Sequence, residues 1–157
     1  IDLRAATNTV GLFQSSPIKQ VGSINIASST SISYGFMCQE LISPIILTTS
    51  ALLADCSYAF YSCANVPEIS LSDASGITNT TGMFSGCNRL AKLRLPGMRT
   101  SFSVAGCNMG AAALNTLFGE MADLTGFPSQ KLTYSSNPGA ATADASILTA
   151  KNWVAAS

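Results

Sequence analysis

Eight carboxylates, eight Lys and Arg side chains, five cysteines and no histidine make up the reactive inventory of this 157-residue chain. Without an imidazole, neither a Ser-His-Asp nor a Cys-His arrangement can be built, and a general base has to be a carboxylate or a lysine. The carboxylates are Asp2, Glu40, Asp55, Glu68, Asp73, Glu120, Asp123 and Asp144. Glu120 and Asp123 stand at a helical spacing of three, an arrangement open to an acid and base pair of the glycosidase kind. The competing reading makes them the solvated face near the end of a helix. Cysteines 38, 56, 63, 87 and 107 form no CxxC pair, and their odd number leaves at least one unpaired. A zinc site without histidine needs a thiolate spacing that is missing here. Glycine-rich phosphate cradles and calcium-loop spacing are missing too, and Asn79-Thr80-Thr81 is a sequon match short enough to arise by chance. The expectation is a protein that is not an enzyme and holds neither metal nor cofactor.

Composition narrows the partners. Equal numbers of acidic and basic residues cancel, so the long-range basic field that draws nucleic acid or an anionic membrane is lacking. The longest apolar runs, 43–47 and 51–54, fall far below the roughly 20 residues that cross a bilayer, so no membrane insertion is expected. Hydrophobic residues are 47% of the chain and charged residues 10%, which leaves Ser, Thr, Asn, Gln and Gly to cover the surface. Low charge with abundant Ser and Thr points to work outside the cytoplasm. A start at Ile1 with no signal-peptide pattern predicts a fragment or processed product.

The elements that would carry such a surface repeat. Val21/Ile24/Ile26, Ile42/Ile45/Leu47, Val66/Ile69/Leu71 and Leu90/Leu93/Leu95 share one apolar pattern, whose first members follow one another in steps of 21, 24 and 24. An apolar, any, apolar triplet turns two side chains to one side of a short strand and the middle one to the other. A unit this short cannot bury its apolar face alone, so the period predicts stacked coils. Phe13, Phe36, Phe60 and Phe84 keep nearly the same rhythm, in steps of 23, 24 and 24, bringing one ring per coil to the convex half of the core. Ile1-Asp2-Leu3 reads as the tail of an earlier strand. Cys63 and Cys87 each occupy the third position after a repeat Phe, which stacks them as buried free thiols; a disulfide between them is the alternative.

After Pro96-Gly97 the register breaks. Ala111, Ala112, Ala113, Leu114, Leu117, Phe118, Met121 and Leu124 recur at spacings of three and four within 106–126, predicting one amphipathic helix of about three to four turns. Leu132-Thr133-Tyr134 is the next strand candidate. Thr142 or Asp144 would cap a last helix running to Lys151, and Trp153-Val154 would close the stack. The fold expected is an α/β solenoid, a stack of about five to seven short parallel strands with helices or turns on the convex side and a helical C-terminal cap. One domain spans 1–157, with irregular repeats over 1–100 and longer capping units over 101–157.

Residues 60–71 and 84–96, with their Phe, Cys, Leu, Leu, Leu order, resemble BspA-like leucine-rich repeats. Ile77-Thr78-Asn79 followed by Met83-Phe84 resembles the Val-Thr-Asn and Met-Phe segment of those repeats, and 137–142 with 149–153 is similar to the closing unit of such repeats in phage tail-fibre and other virion proteins. The asparagine ladder of many leucine-rich repeats is missing, its position being held by Ser29, Ser50, Ala74 and Met98. What the resemblance implies is a virion-surface, extracellular protein, a tail-fibre or appendage domain for host recognition. Its partners would be a host glycan or protein and other virion subunits, with a trimer implied by analogy. A decoration protein of the particle and a bacterial surface adhesin are the alternatives.

Strand geometry turns three columns outward: Ser23, Pro44, Glu68, Lys92; Asn25, Ile46, Ser70, Arg94; and Ala27, Thr48, Ser72, Pro96. Such a face suits hydrogen bonding to sugars or packing on a protein, or is plain solvated sheet. Arg89, Lys92, Arg94 and Arg99 put four of eight basic residues within eleven positions, a patch for an acidic sugar or lipid phosphate, or again a solvated face. Asn25, Ser70, Lys92, Arg94 and Arg99 are the candidate binding residues. Tyr58, Tyr61 and Tyr134 would either stack on sugars or belong to the core.

Overall fold

Every strand is short and every strand pair is parallel. The computed structural model describes residues 1–157 and contains β1 (Ile24–Asn25), β2 (Ile45–Thr48), β3 (Glu68–Leu71), β4 (Lys92–Arg94), β5 (Phe102–Ser103), α1 (Ala111–Glu120), β6 (Gln130–Thr133), α2 (Ser146–Thr149) and β7 (Trp153–Ala156). They form a four-stranded sheet, β1-β2-β3-β4, and a three-stranded sheet, β5-β6-β7, both in chain order. Parallel neighbours in chain order require each connection to carry the chain back to the start of the next strand.

The register follows the apolar triplets. Ile45 pairs with Ile69 and Ile69 with Leu93, the same step twice, and these side chains are buried while their neighbours along the strand point out. β1 departs from the expected step of 21: Ile24 pairs with Leu47 and Asn25 with Thr48, a step of 23. Aligning Ile24 with Ile45 is therefore wrong by one full side-chain repeat of a strand, a slip that the alternation itself conceals. Ile42 is also misassigned. It is 54% exposed, and Leu41 is the residue buried there. Asp2 bridges Asn25 in parallel, as the tail of an earlier strand would.

A second line of parallel pairing joins Ser31, Asp55 and Asn79 through isolated bridges. Ser103 follows Asn79 at the same step and pairs with Thr133, which pairs with Ala156. Along this line, Asn8, Ser31, Asp55, Asn79 and Ser103 each accept a hydrogen bond from the N–H two positions on, at 2.9, 3.2, 3.0, 3.2 and 3.2 Å. These are Asx- and Ser-turns, which bend the chain without help from the core. Three positions later comes Gly11, Tyr34, Tyr58, Gly82 or Gly106, all with φ between 52° and 72°. A polar ladder thus exists, at another position and in mixed residue types.

Between the two lines lies one apolar cluster that runs from Ile24 to Trp153. Phe13, Phe36, Phe60 and Phe84 form a pile with successive centroids 5.4, 5.5 and 5.6 Å apart, and Phe102 and Trp153 extend it edge to face. All five cysteines are buried and free. Cys63 and Cys87 donate their S–H to the carbonyls of Phe36 and Phe60, at 2.6 and 3.1 Å, and Cys38 donates to that of Phe13. Burial pushes the Cys63 and Cys107 thiols up to about 12.

Beside β4 the first sheet ends and α1 takes over. The Gly97 N–H donates to the Glu120 carbonyl and the Ala122 N–H to that of Met98, both at 3.0 Å. α1 has 10 residues and buries Leu114, Leu117 and Phe118; this is just under three turns, shorter than expected, because Met121 is already extended at φ −67°, ψ 151°. α2 is a single short turn capped by no side chain, although Asp144 accepts from the Ser146 N–H and Oγ at 3.0 and 2.6 Å. The strand expected at 132–134 covers Gln130–Thr133, and Trp153–Ala156 forms the final strand.

Candidate functional site

β3 and β4 turn Glu68, Ser70, Lys92 and Arg94 to the same face, with Glu68 opposite Lys92 and Ser70 opposite Arg94. Of the five candidate residues, three are therefore neighbours. Asn25 stands two strands away on β1, opposite Thr48 and not in the row of Ile46, Ser70 and Arg94; its carboxamide oxygen accepts from the Ala27 N–H at 3.2 Å. Arg99 lies beyond the strand. It edges a shallow hollow of about 190 Å³ with Leu124, Phe127, Pro128 and Gln130.

Two cations of the expected basic patch are already paired. Lys92 Nζ stands 2.9 Å from Glu68, and the Arg94 guanidinium grips Glu120 Oε1 through two nitrogens at 2.6 and 2.8 Å. The Glu120 hydrogen bond and charge raise the Arg94 pKa further. Two positive and two negative groups cancel on this face, so an acidic sugar or a phosphate meets little net attraction. A groove of about 280 Å³ between β4 and α1, edged by Lys92, Arg94, Ala112 and Thr116, is the concavity nearest these residues.

The paired carboxylates expected near the end of α1 have structural engagements. Glu120 binds Arg94, with its Oε2 buried and accepting no hydrogen bond. Asp123 accepts from the Thr125 hydroxyl and N–H at 2.7 and 2.8 Å, bonds that hold its pKa below the ordinary value. No three Cys, Asp or Glu side chains gather as a metal-binding group, and no helix is long and apolar enough to cross a membrane.

A different region combines aromatic surface with a polar hollow. Tyr34 and Tyr58 stack with centroids 5.1 Å apart and planes 10° from parallel, and Tyr61 meets Tyr58 edge-on at 5.8 Å. Tyr61 also lines a hollow of about 490 Å³ with Ser15, Ser16, Gln39, Glu40 and Ser62. Tyr58 and Tyr61 were legible as candidate stacking residues, and Tyr34 was missed. Its signal is the repeat step that links it to Tyr58, combined with the small polar residue three positions before each. Tyr134, the third candidate, is buried against Phe118 and belongs to the core. Set against family models, curated proteins and solved structures, the chain returns no match, so its function has to be argued from these residues.

Proposed function

We propose that the chain is a leucine-rich-repeat-like α/β solenoid acting as a non-enzymatic recognition domain on a virion surface, in a phage tail fibre or similar appendage that meets the host cell. The observation that carries this reading is the repeat itself. Through the central repeats, the pairing of β2, β3 and β4, the pile of Phe36, Phe60 and Phe84, the Cys63 and Cys87 thiol bonds and the turns at Ser31, Asp55 and Asn79 all advance by 24 residues, and residues 60–71 and 84–96, which set this step, are those resembling the BspA-like repeats. Rigid stacked coils offer an extended surface with little mobile backbone, a suitable base for recognition. The non-enzymatic part of the reading draws support from Glu120 and Asp123, whose Oε1 and Oδ1 are engaged by Arg94 and by Thr125.

The partner class is a host-surface glycan or protein, with further virion subunits holding the domain in place, as a trimer by analogy with fibres of this kind. The test is adsorption. The purified, labelled chain should bind whole cells of the host saturably and compete with particles for them. Binding to particles with cell adsorption unchanged would favour a decoration protein, and an encoding gene among secreted cell-surface genes would favour an adhesin; either result overturns the appendage reading.

A further inference from the structure

We propose that Tyr34, Tyr58 and Tyr61, with the hollow beside them, form a binding site for a neutral oligosaccharide. This deepens the recognition reading and rests on it for biological setting, though the chemistry stands on its own geometry. Tyr34 and Tyr58 hold φ of 55° and 52°, at the step of the turn where Gly11, Gly82 and Gly106 serve the other coils. A bulky residue in this left-handed region is an outlier that persists only where the surroundings hold it, and glycine meets the backbone demand without cost. The two rings are therefore present at positions where the turn itself does not need them.

Neither ring is placed for the core. Tyr34 is 38% exposed, and Gly11, its equivalent one coil earlier, brings no side chain to cover it. On the other side, Tyr58 packs against Gly82, where an added Cβ would come within 2.5 Å of the ring. The pile is thus fixed from below and open above. None of the three tyrosine hydroxyls hydrogen-bonds to the protein, whereas the buried indole of Trp153 donates to the Ala122 carbonyl.

Tyr61 joins this shelf to the polar hollow. The hollow offers hydroxyls from Ser15, Ser16 and Ser62, the carboxamide of Gln39 and the carboxylate of Glu40. A pyranose matches both parts, because its C–H face packs on an aromatic ring while its rim of hydroxyls needs mixed donors and acceptors. Glu40 is the only charged lining residue, so uronic acids and sialylated or phosphorylated sugars are repelled. Tyrosine gives this contact at a low cost in side-chain entropy.

An array of neutral oligosaccharides, built of hexoses and N-acetylhexosamines, together with acidic counterparts, tests the site with the intact chain. The expected result is capture of at least one neutral glycan and no preference for acidic ones. Y34G and Y61A should each weaken that binding about tenfold or more, and E40Q should keep neutral binding while admitting acidic glycans. Y34G also removes the left-handed strain, so its Tm should stay within about 4 °C of the parent, which separates lost binding from lost folding. K131A, on β6 away from the shelf, should leave glycan binding unchanged. Capture of acidic glycans only, of none, or equally by the Y34G and Y61A variants overturns the site. Cell adsorption run in parallel separates the two readings. Adsorption that survives Y34G and Y61A with no glycan captured sinks the glycan site and leaves the recognition role standing, while glycan capture without adsorption does the reverse. Adsorption lost in these variants with no glycan captured assigns the shelf to a protein partner and also overturns the proposal.

Discussion

Burial works against ionisation of Asp55, yet hydrogen bonds from the Ser57 N–H at 3.0 Å and from Ser31 Oγ at 3.1 Å outweigh it and hold the pKa below the ordinary value. A depressed carboxyl pKa means that the folded state favours the ion. Its stabilising contribution is therefore present above the unfolded pKa and fades as pH falls through the folded value. D55A should lower unfolding free energy by about 1–2 kcal/mol at neutral pH, and D55N, which keeps the Oδ1 acceptor, by less; urea melts at pH 7 and near pH 3 would show the D55A deficit shrinking in acid. The thiols behave in the opposite sense. Because burial raises Cys63 and Cys107 from 9.0 to about 12, their contribution holds below pH 9 and is lost as pH rises toward 12. At pH 8 native alkylation by iodoacetamide should run at least about 100-fold slower than in urea, followed by mass spectrometry; rapid native labelling of Cys63 would contradict its burial. The buried thiols were legible in advance, since Cys63 and Cys87 share one place after a repeat Phe. The Asx ladder was not, because Asn, Ser and Asp alternate in it and only their common hydrogen bond makes them equivalent.

At the scale of elements, close approach between consecutive repeats sets the tolerances. A Cβ added at Gly76 would come within 1.9 Å of the Ala51 carbonyl oxygen, a backbone atom that cannot swing aside. G76A should cost about 2–4 kcal/mol, measured by chemical denaturation; a neutral result would mean that the two segments sit further apart. α1 depends on a residue far along the chain. Lys151 Nζ donates to the carbonyls of Phe118, Gly119 and Met121, supplying the charge and donors that the helix's own last turn lacks. K151M should destabilise by about 1–2 kcal/mol while leaving the four-stranded sheet intact, with amide exchange rising in α1 ahead of β2 and β3. The existence of α1 was readable from Leu114, Leu117 and Phe118. Its end was not, because Met121 and Leu124 continue the apolar rhythm as core residues after the helix has stopped. β1 misled for a related reason. Its apolar alternation fits a register of 21 as well as 23, and pairing alone decides between them.

Taken whole, the chain couples regular parallel pairing to a localised surface. The parallel strands and the period of the later repeats were legible because two independent columns, aliphatic and aromatic, shared one step. The candidate binding face was only partly legible. Strand alternation correctly turned Ser70, Lys92 and Arg94 outward, yet a sequence does not show that Glu68 and Glu120 come to neutralise the two cations. R94A should accordingly act on stability more than on ligand charge, lowering it because the Glu120 carboxylate left without its cation is only 17% exposed; urea melts set beside adsorption would show this, and a large loss of binding to acidic surfaces would contradict the neutralised face. The proposed stack itself meets its most direct test in NOE spectroscopy on isotopically labelled protein. Parallel coils at this register require amide and Hα contacts of Ile69 with both Ile45 and Leu93, of Asp55 with both Ser31 and Asn79, and of Asn25 with Thr48. Antiparallel contacts among these strands, or Ile69 lacking either partner, would contradict the stack and the recognition surface built on it.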